Sequence, residues 1–222
     1  MDWFRSADDG SEKRGTAYSV SNAPTHKGGS WRASGQSGLS LFFRGCRVMR
    51  VIGGEFRSRI LKSLPGLDVR PTTDRLRETL FNILAPRIAG ARFADVYAGT
   101  GAVGIEALSR GAARAIFVEQ KAAACEVIRA NLRALGLESR AMVRQAKASS
   151  ALASIEADII FLDPPYRLEG EYARCLEILS RKPPALAIVQ HPSRMPLPPL
   201  LECARVITQG DNALSFFGKL RD

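Results

Sequence analysis

The sequence lacks the features from which zinc knuckles, disulfide frameworks and membrane spans are built. Its four cysteines are scattered among 222 residues and form no CxxC pair, so neither a metal knuckle nor a set of disulfides is indicated, and a reducing cytoplasm is the expected compartment. No stretch reaches the roughly 18 consecutive apolar residues of a membrane span, and the N-terminus has no apolar signal-peptide core. We therefore expect a soluble cytoplasmic protein without a metal centre.

Acidic residues are also few. The 22 Asp and Glu residues are outnumbered by 32 Lys and Arg residues, which gives a formal charge of +10 at pH 7. This balance favours a polyanionic partner such as nucleic acid, although a merely soluble basic protein would have the same charge. The hydrophobic content of 45% is enough to build a substantial core. Composition therefore predicts a globular domain and makes nucleic acid a candidate partner.

Residues 1–48 differ from the rest of the chain. They are rich in Gly, Ser and charge, and their apolar residues are isolated rather than periodic. Because such a segment has no apolar face to bury, we predict a disordered extension. Met49, where ordered-looking sequence begins, is a candidate translation start.

Residues 49–90 are predicted to form a small hairpin and a helix. Between residues 50 and 64, apolar residues alternate with basic ones around Gly53-Gly54, which is typical of a twisted β-hairpin with a basic face. That face would suit phosphates, or would merely protect a solvated strand edge. The sequence Pro-Thr-Thr-Asp at 71–74 supplies an N-cap, and the apolar spacing beyond it predicts a helix over 74–88.

From residue 91 to residue 222, short apolar runs alternate with helical segments. Such alternation predicts parallel βαβ units. The five runs predicted to be strands lie at 93–97, 115–119, 141–145, 158–163 and 185–190. Two further runs, at 204–209 and 212–217, are separated only by Gly210-Asp211, a hairpin signal that makes the last pair antiparallel. The expected catalytic domain is thus an α/β fold with a mostly parallel sheet.

A glycine-rich loop follows the first of these strands. Residues 99–104 read GTGAVG, a GxGxxG pattern that allows a ligand to approach the backbone, although such glycines can also simply pack a helix on a strand. The second strand ends at Glu119, about 20 residues after the first glycine, where an acid accepts hydrogen bonds from ribose hydroxyls or else stabilises a helix N-terminus. A cofactor that contains a nucleoside is predicted, and NAD and S-adenosylmethionine are both candidates.

The fourth strand ends in the tetrapeptide Asp163-Pro164-Pro165-Tyr166. A carboxylate in this position lies where open α/β sheets bind ligands, and the two prolines stiffen the turn and remove its backbone donors. Asp163 and the Pro164 carbonyl would accept the two N–H groups of an exocyclic base amine during methyl transfer, while Tyr166 stacks on the base. In the alternative interpretation, Asp163 caps the next helix and Tyr166 is a core aromatic. The joint spacing with the glycine loop and Glu119 favours methyl transfer.

From about residue 49 to 217, the chain resembles RsmD-type bacterial methyltransferases, which modify guanine N2 in 16S ribosomal RNA and belong to the DPPY/NPPY amino-methyltransferases. The resemblance is carried by RVIGGEFRSRIL, RPTTDRLRETLFN at 70–82, DVYAGTGAVGIEALSRGA at 95–112, FLDPPY and NALSFF. It implies a Rossmann-like class I fold with S-adenosylmethionine as the cofactor. The implied partner is 16S ribosomal RNA within the small ribosomal subunit or an assembly intermediate.

The same resemblance implies a role for each candidate residue. The residues expected near the methionine end of the cofactor are Arg70, Thr72 and Thr73, and those along its methionine portion are Asp95, Gly99 and Gly101. Glu119 is expected at the ribose, and Asp163, Pro164, Pro165 and Tyr166 at the base. The residues expected to face RNA phosphate are Arg57, Arg59 and Lys62.

Two segments depart from the family pattern. After the third strand, Gln145-Ala146-Lys147-Ala148 stands where an acid near the adenine is usual, so we expect backbone groups or apolar contacts to recognise the adenine. After the fifth strand, Gln190-His191 replaces another common acid, and His191 is given no catalytic role.

Three other classes of protein share some of these sequence features. A nicotinamide-dependent oxidoreductase would use the glycine loop but leaves the Asp-Pro-Pro-Tyr sequence unexplained. An RNA-binding assembly factor without catalysis is disfavoured because Asp163 and the glycines are intact. An adenine-N6 methyltransferase acting on nucleic acid shares the tetrapeptide chemistry, so the choice of guanine depends on the resemblance.

Overall fold

The computed structural model describes residues 49–63 and 73–219, which build a seven-stranded sheet with helices on both faces. The helices are α1 (Asp74–Ile88), α2 (Ala102–Ser109), α3 (Ala122–Leu135), α4 (Ala148–Leu152) and α5 (Glu169–Arg181). The strands are β1 (Arg92–Val96), β2 (Arg114–Glu119), β3 (Ala141–Gln145), β4 (Ile159–Leu162), β5 (Leu186–Pro192), β6 (Cys203–Gln209) and β7 (Asn212–Gly218). The predicted extension over 1–48, and Arg70 and Thr72 of the predicted cofactor site, lie outside the described residues.

The strands follow the order β3-β2-β1-β4-β5-β7-β6. Strands β1 to β5 run parallel, whereas β7 is antiparallel to both β5 and β6. The order reverses between β1 and β4, and open α/β sheets bind ligands beyond the strand ends at such a switch point. The predicted mostly parallel sheet with an antiparallel C-terminal hairpin is confirmed.

Both faces of the sheet are buried, as expected for parallel strands. In β1, Phe93 packs with α1 and α2, whereas Ala94 and Val96 pack on the opposite face with α4 and α5. A third apolar cluster joins α2 and α3 to β2 around Phe117. Because close packing fixes the central strands, it also fixes the starting points of the loops that follow them.

The predicted helix over 74–88 is confirmed as α1. Thr73 caps it, since its side-chain oxygen accepts a hydrogen bond from the Leu76 N–H at 3.2 Å. The apolar side of α1, which includes Leu80 and Phe81, is fully buried against the sheet. Thr73 therefore has the structural role that its sequence context predicts.

The N-terminal segment differs from the predicted hairpin. Antiparallel pairing over residues 49–63 is limited to an isolated bridge between Arg50 and Ile60, and the loop between them turns toward α2 instead of extending a ladder. Gly54 has a φ of +78°, and a Cβ there would lie 2.0 Å from the Ser109 carbonyl oxygen. The glycine pair thus allows a close approach to α2 within a short antiparallel return of the chain.

Candidate active site

A cavity of about 750 Å³ opens at the C-terminal ends of β1, β2 and β4. Small-molecule sites commonly have volumes of about 300–1,000 Å³. The predicted residues in its wall are Gly99, Glu119 and all four residues of the Asp163–Tyr166 tetrapeptide. Two motifs that are more than 40 positions apart in the sequence therefore meet around one space.

The glycines of the loop have different surroundings. Gly99 has a φ of +55° and lines the cavity, and a Cβ on it would meet no protein atom within 4 Å. Gly101 has a φ of +79°, and its Cβ would contact the side chains of Ile128 and Phe117 at 3.2–3.3 Å. Gly99 thus leaves room for a ligand, whereas Gly101 allows α2 to begin close to its neighbours.

Glu119 joins the glycine loop to the start of α3. One carboxylate oxygen accepts a hydrogen bond from the Gly99 N–H at 3.0 Å, and the other accepts one from the Lys121 N–H at 2.9 Å. Its side chain is half-buried in the cavity wall. The two interpretations of Glu119 are therefore compatible, because a carboxylate with about four lone-pair positions can hold both N–H groups and still accept from a ligand.

Asp95 lies behind the glycine loop and is not among the residues that line the cavity. It is 2% exposed, and its carboxylate accepts a hydrogen bond from the Gly104 N–H at 2.8 Å. Burial is the main cause that raises the pKa of Asp95 to about 8; the charges of Asp163 and Glu119 act in the same direction, and the hydrogen bond from Gly104 opposes it. Its observed role is to hold the first turn of α2 on the end of β1.

The Asp-Pro-Pro-Tyr turn is held by neighbouring elements. The Pro164 carbonyl accepts a hydrogen bond from the Tyr172 hydroxyl at 2.9 Å, and the Tyr166 hydroxyl donates to the Asn212 side chain at 2.5 Å. Helix α5 begins at Glu169 with Leu168 as its N-cap. Asp163 is therefore too far from α5 to be its cap, and Tyr166 lies in the cavity wall, half-buried, instead of in the core.

Tyr97 is a cavity residue that the sequence analysis missed. It connects β1 to the glycine loop with a φ of +68°, a left-handed conformation that costs a non-glycine residue about 1–3 kcal/mol. Its hydroxyl contacts the Glu171 carboxylate at 2.8 Å and the Cys175 sulfur at 3.4 Å, and burial raises its pKa well above the usual value. The sequence signal was its position between Asp95 and Gly99, but backbone conformation there depends on long-range contacts.

The basic N-terminal segment is docked on the helix that follows the glycine loop. The buried Glu106 carboxylate of α2 accepts hydrogen bonds from the Ile52 and Gly53 N–H groups at 2.7 and 2.8 Å and pairs with Arg110 at 2.7 Å. Asn131 of α3 accepts from the Lys62 N–H at 2.8 Å. The side chains of Arg57, Arg59 and Lys62 are exposed and do not line the cavity.

The two departures from the family pattern have distinct surroundings. Ala146, Lys147 and Ala148 line the cavity, and the Ala146 N–H donates to the Glu119 carbonyl at 3.0 Å. His191 is 5% exposed and contacts the Ser215 hydroxyl at 2.8 Å, and burial lowers its pKa. This contact joins β5 to β7.

Within residues 49–63 and 73–219, no group of three or more His, Cys, Asp or Glu side chains could hold a metal ion. In the same part of the chain, no helix has the length and apolar character needed to cross a bilayer.

The sheet order and the ligand cavity at the switch point define a Rossmann-like class I methyltransferase fold. The chain belongs to the family described as conserved hypothetical protein 95, whose model matches residues 49–218. The predicted resemblance to RsmD-type enzymes is confirmed. Over 125 residues the chain is 45% identical to ribosomal RNA small subunit methyltransferase D of Escherichia coli, covering 55% of this chain and 63% of that protein.

Other relatives agree with this assignment. The protein of the same name from Haemophilus influenzae is 35% identical over 157 residues, covering 67% of this chain and 81% of that protein. The solved structure of yhhF from Escherichia coli superposes with a TM-score of 0.67 at 38% identity, covering 77% of this chain and 97% of that one. An RNA methyltransferase from Salinibacter ruber, solved with S-adenosyl-L-homocysteine, has a TM-score of 0.54 at 18% identity and covers 66% of this chain and 92% of its own, a likeness of fold alone.

Proposed function

We propose that this chain is an S-adenosylmethionine-dependent methyltransferase that methylates the exocyclic N2 amine of a guanine in 16S ribosomal RNA. The observation that supports this proposal most strongly is that the glycine loop, Glu119 and the Asp-Pro-Pro-Tyr turn line one cavity. Small-subunit ribosomal RNA as the substrate agrees with the names of the relatives. We propose that this RNA is met within the small subunit or an assembly intermediate. The choice of guanine N2 comes from the family resemblance.

The part of the cavity wall that contains Glu119 and Gly99 suits a nucleoside. Each Glu119 oxygen accepts one backbone N–H, which leaves lone pairs on both for ribose hydroxyls. The open space beside Gly99 permits close approach to the backbone. S-adenosylmethionine bound there supplies a methyl group activated by its sulfonium.

The part of the cavity wall that contains the Asp-Pro-Pro-Tyr turn suits a planar base that carries an amine. A base amine is a weak nucleophile because its lone pair is delocalised into the ring. As the N–C bond forms and the methyl–sulfur bond breaks, nitrogen becomes positively charged, and acceptors at Asp163 and the Pro164 carbonyl stabilise that charge. The nitrogen then loses one proton to solvent. Tyr166, positioned by Asn212, provides an aromatic face for the base.

The charge distribution supports an RNA substrate. The chain carries a formal charge of +10, and the side chains of Arg57, Arg59 and Lys62 are exposed on a segment that is hydrogen-bonded to α2 and α3. Helix α2 starts at the glycine loop. An RNA phosphate bound to this N-terminal segment would therefore be held close to the part of the protein that is proposed to bind the cofactor. Phosphate contacts position the substrate and do not select the base.

The proposal is tested by transfer of labelled methyl from S-adenosylmethionine to small ribosomal subunits, with Asp163→Ala beside the wild type. We expect the variant to lose about 100- to 1000-fold in rate, because an acceptor aimed at the developing charge is removed. Its affinity for S-adenosylhomocysteine should stay within about twofold of wild type. Glu156→Ala, which removes a carboxylate from an exposed pair with Lys182, is the matched control and should be unchanged.

Full activity of Asp163→Ala would contradict the proposed chemistry. Stabilisation of the protein by NAD and not by S-adenosylhomocysteine, read as a shift in melting temperature, would instead favour the oxidoreductase alternative.

A further inference from the structure

Two of the four residues in the turn that carries the proposed base site have no backbone donor. Both Pro164 and Pro165 lack an N–H, so the peptide group that joins them can form hydrogen bonds only through its oxygen. That oxygen is the Pro164 carbonyl, which is also one of the two proposed acceptors for the base amine. Backbone hydrogen bonds anchor the turn at Asp163 and Pro165, and a side-chain donor from elsewhere in the fold can fix the direction of this carbonyl between them.

The donor is Tyr172 of α5. Its hydroxyl donates to the Pro164 carbonyl oxygen at 2.9 Å, and the bond is buried. The ring is 1% exposed and packs in the apolar cluster between α4, α5 and the sheet, with Cys175, Leu176 and Leu179 beside it. A tyrosine held in this way has one available position for its hydroxyl, so it can define the direction of the carbonyl.

The hydroxyl stays protonated at neutral pH and therefore remains a donor. Burial raises the pKa of Tyr172 well above its usual value, and the charge of Asp163 adds to the effect. A carbonyl oxygen has two lone pairs, so one can accept from Tyr172 while the other remains for a substrate N–H.

The residue before Tyr172 makes a parallel contact on the cofactor side. Glu171 accepts a hydrogen bond from the Tyr97 hydroxyl, and Tyr97 leads directly into the glycine loop. One turn of α5 thus forms hydrogen bonds both to the residue that leads into the glycine loop and to the Asp-Pro-Pro-Tyr turn. In-line methyl transfer requires that these two loops keep a fixed separation.

We propose that Tyr172 is a positioning residue for methyl transfer: its hydroxyl holds the Pro164 carbonyl in the direction from which it accepts the amine of the base. This inference rests on the function proposed above. Tyr172 touches neither the cofactor nor the base; it acts through the main chain of the Asp-Pro-Pro-Tyr turn.

The test is single-turnover methyl transfer with saturating RNA and S-adenosylmethionine, comparing the wild type with Tyr172→Phe. The phenylalanine keeps the ring and removes the hydroxyl. We expect the rate constant to fall about 10- to 100-fold, the size of effect associated with small misplacements of reacting groups. The amplitude of the turnover and the affinity for S-adenosylhomocysteine should stay unchanged, because correctly folded sites still bind the cofactor.

Two further variants separate positioning from stability. Ser180→Ala removes a hydroxyl that donates to the Glu177 carbonyl at the exposed end of the same helix, and its rate constant should equal that of the wild type. Incorporation of p-aminophenylalanine in place of Tyr172 restores a donor at the same place and should recover most of the lost rate. A purely structural hydroxyl would lower the amplitude and leave the rate constant unchanged.

An unchanged rate constant in Tyr172→Phe, or a loss of amplitude alone, would overturn this inference while the proposed function stands. Absence of any methyl transfer by the wild type in the same assay would overturn both.

Discussion

Replacing Glu119 by glutamine is the substitution that most sharply tests the cofactor end of the cavity. The glutamine side chain has nearly the same volume but has one acceptor oxygen where the carboxylate has two. In the structure the two carboxylate oxygens accept from the Gly99 and Lys121 N–H groups at 3.0 and 2.9 Å. The new NH₂ group would face one of these donors, so one of the two backbone contacts must be lost.

The size of the effect follows from the charge of the acceptor. Hydrogen bonds to a charged group contribute about 1.5–3 kcal/mol, and the ribose hydroxyls would lose at least one of them. A loss of about 1.5–3 kcal/mol corresponds to a dissociation constant for S-adenosylhomocysteine that is about 10- to 150-fold higher. Titration calorimetry at fixed ionic strength measures this change directly.

Glu126→Gln provides the control for this measurement. Glu126 lies on the exposed side of α3, where it pairs with Arg129 at 2.6 Å, so its replacement removes the same charge from the same helix region without touching the cavity. Its affinity for S-adenosylhomocysteine should stay within about twofold of wild type, since exposed pairs contribute little. Equal affinities in Glu119→Gln and the wild type would refute the ribose role and leave Glu119 only as the link between the glycine loop and the start of α3.

Two further predictions concern stability. Because burial raises the pKa of Asp95 to about 8 and an unfolded Asp titrates near 3.9, the folded state retains an extra proton between these values, and stability from this group falls as pH rises through that window. In urea unfolding, the free energy of unfolding of Asp95→Asn should therefore rise relative to that of the wild type between pH 5 and pH 8. A difference between the two free energies that does not change with pH would contradict this. Gly54→Ala should lower the melting temperature well beyond Gly136→Ala, because its Cβ would collide with the Ser109 carbonyl whereas Gly136, also at positive φ, faces open space. Equal shifts would show that the close approach to α2 is dispensable.

The elements of the fold could be predicted because local patterns encode them. Apolar runs gave the strands to within about two residues, and the Thr73 cap marked the start of α1. The hairpin turn at Gly210-Asp211 was recognised by its two-residue length. The Asp163–Tyr166 turn could be placed because its sequence follows an apolar strand.

The contacts between elements could not be predicted in this way. The segment over 49–63 follows the pattern of a hairpin, but the buried Glu106 and Ser109 of α2 compete for its backbone groups, and those partners lie more than 50 residues away. The left-handed conformation of Tyr97 and the Tyr172 bond to Pro164 likewise depend on how α5 packs on the sheet. The spacing of apolar residues indicates whether a segment is a helix or a strand, whereas tertiary packing decides which other residues it contacts.

Identification of the methylated nucleoside shows directly which base the enzyme modifies. Small ribosomal subunits from a strain that lacks the matching activity would be incubated with the full chain and labelled S-adenosylmethionine, and the RNA digested to nucleosides for analysis. We expect the label to appear as N2-methylguanosine in 16S RNA. Label in N6-methyladenosine would contradict guanine as the target base but would agree with the proposed acceptors for the amine. If neither the subunits nor naked RNA became labelled, methyl transfer to RNA by this chain would be contradicted.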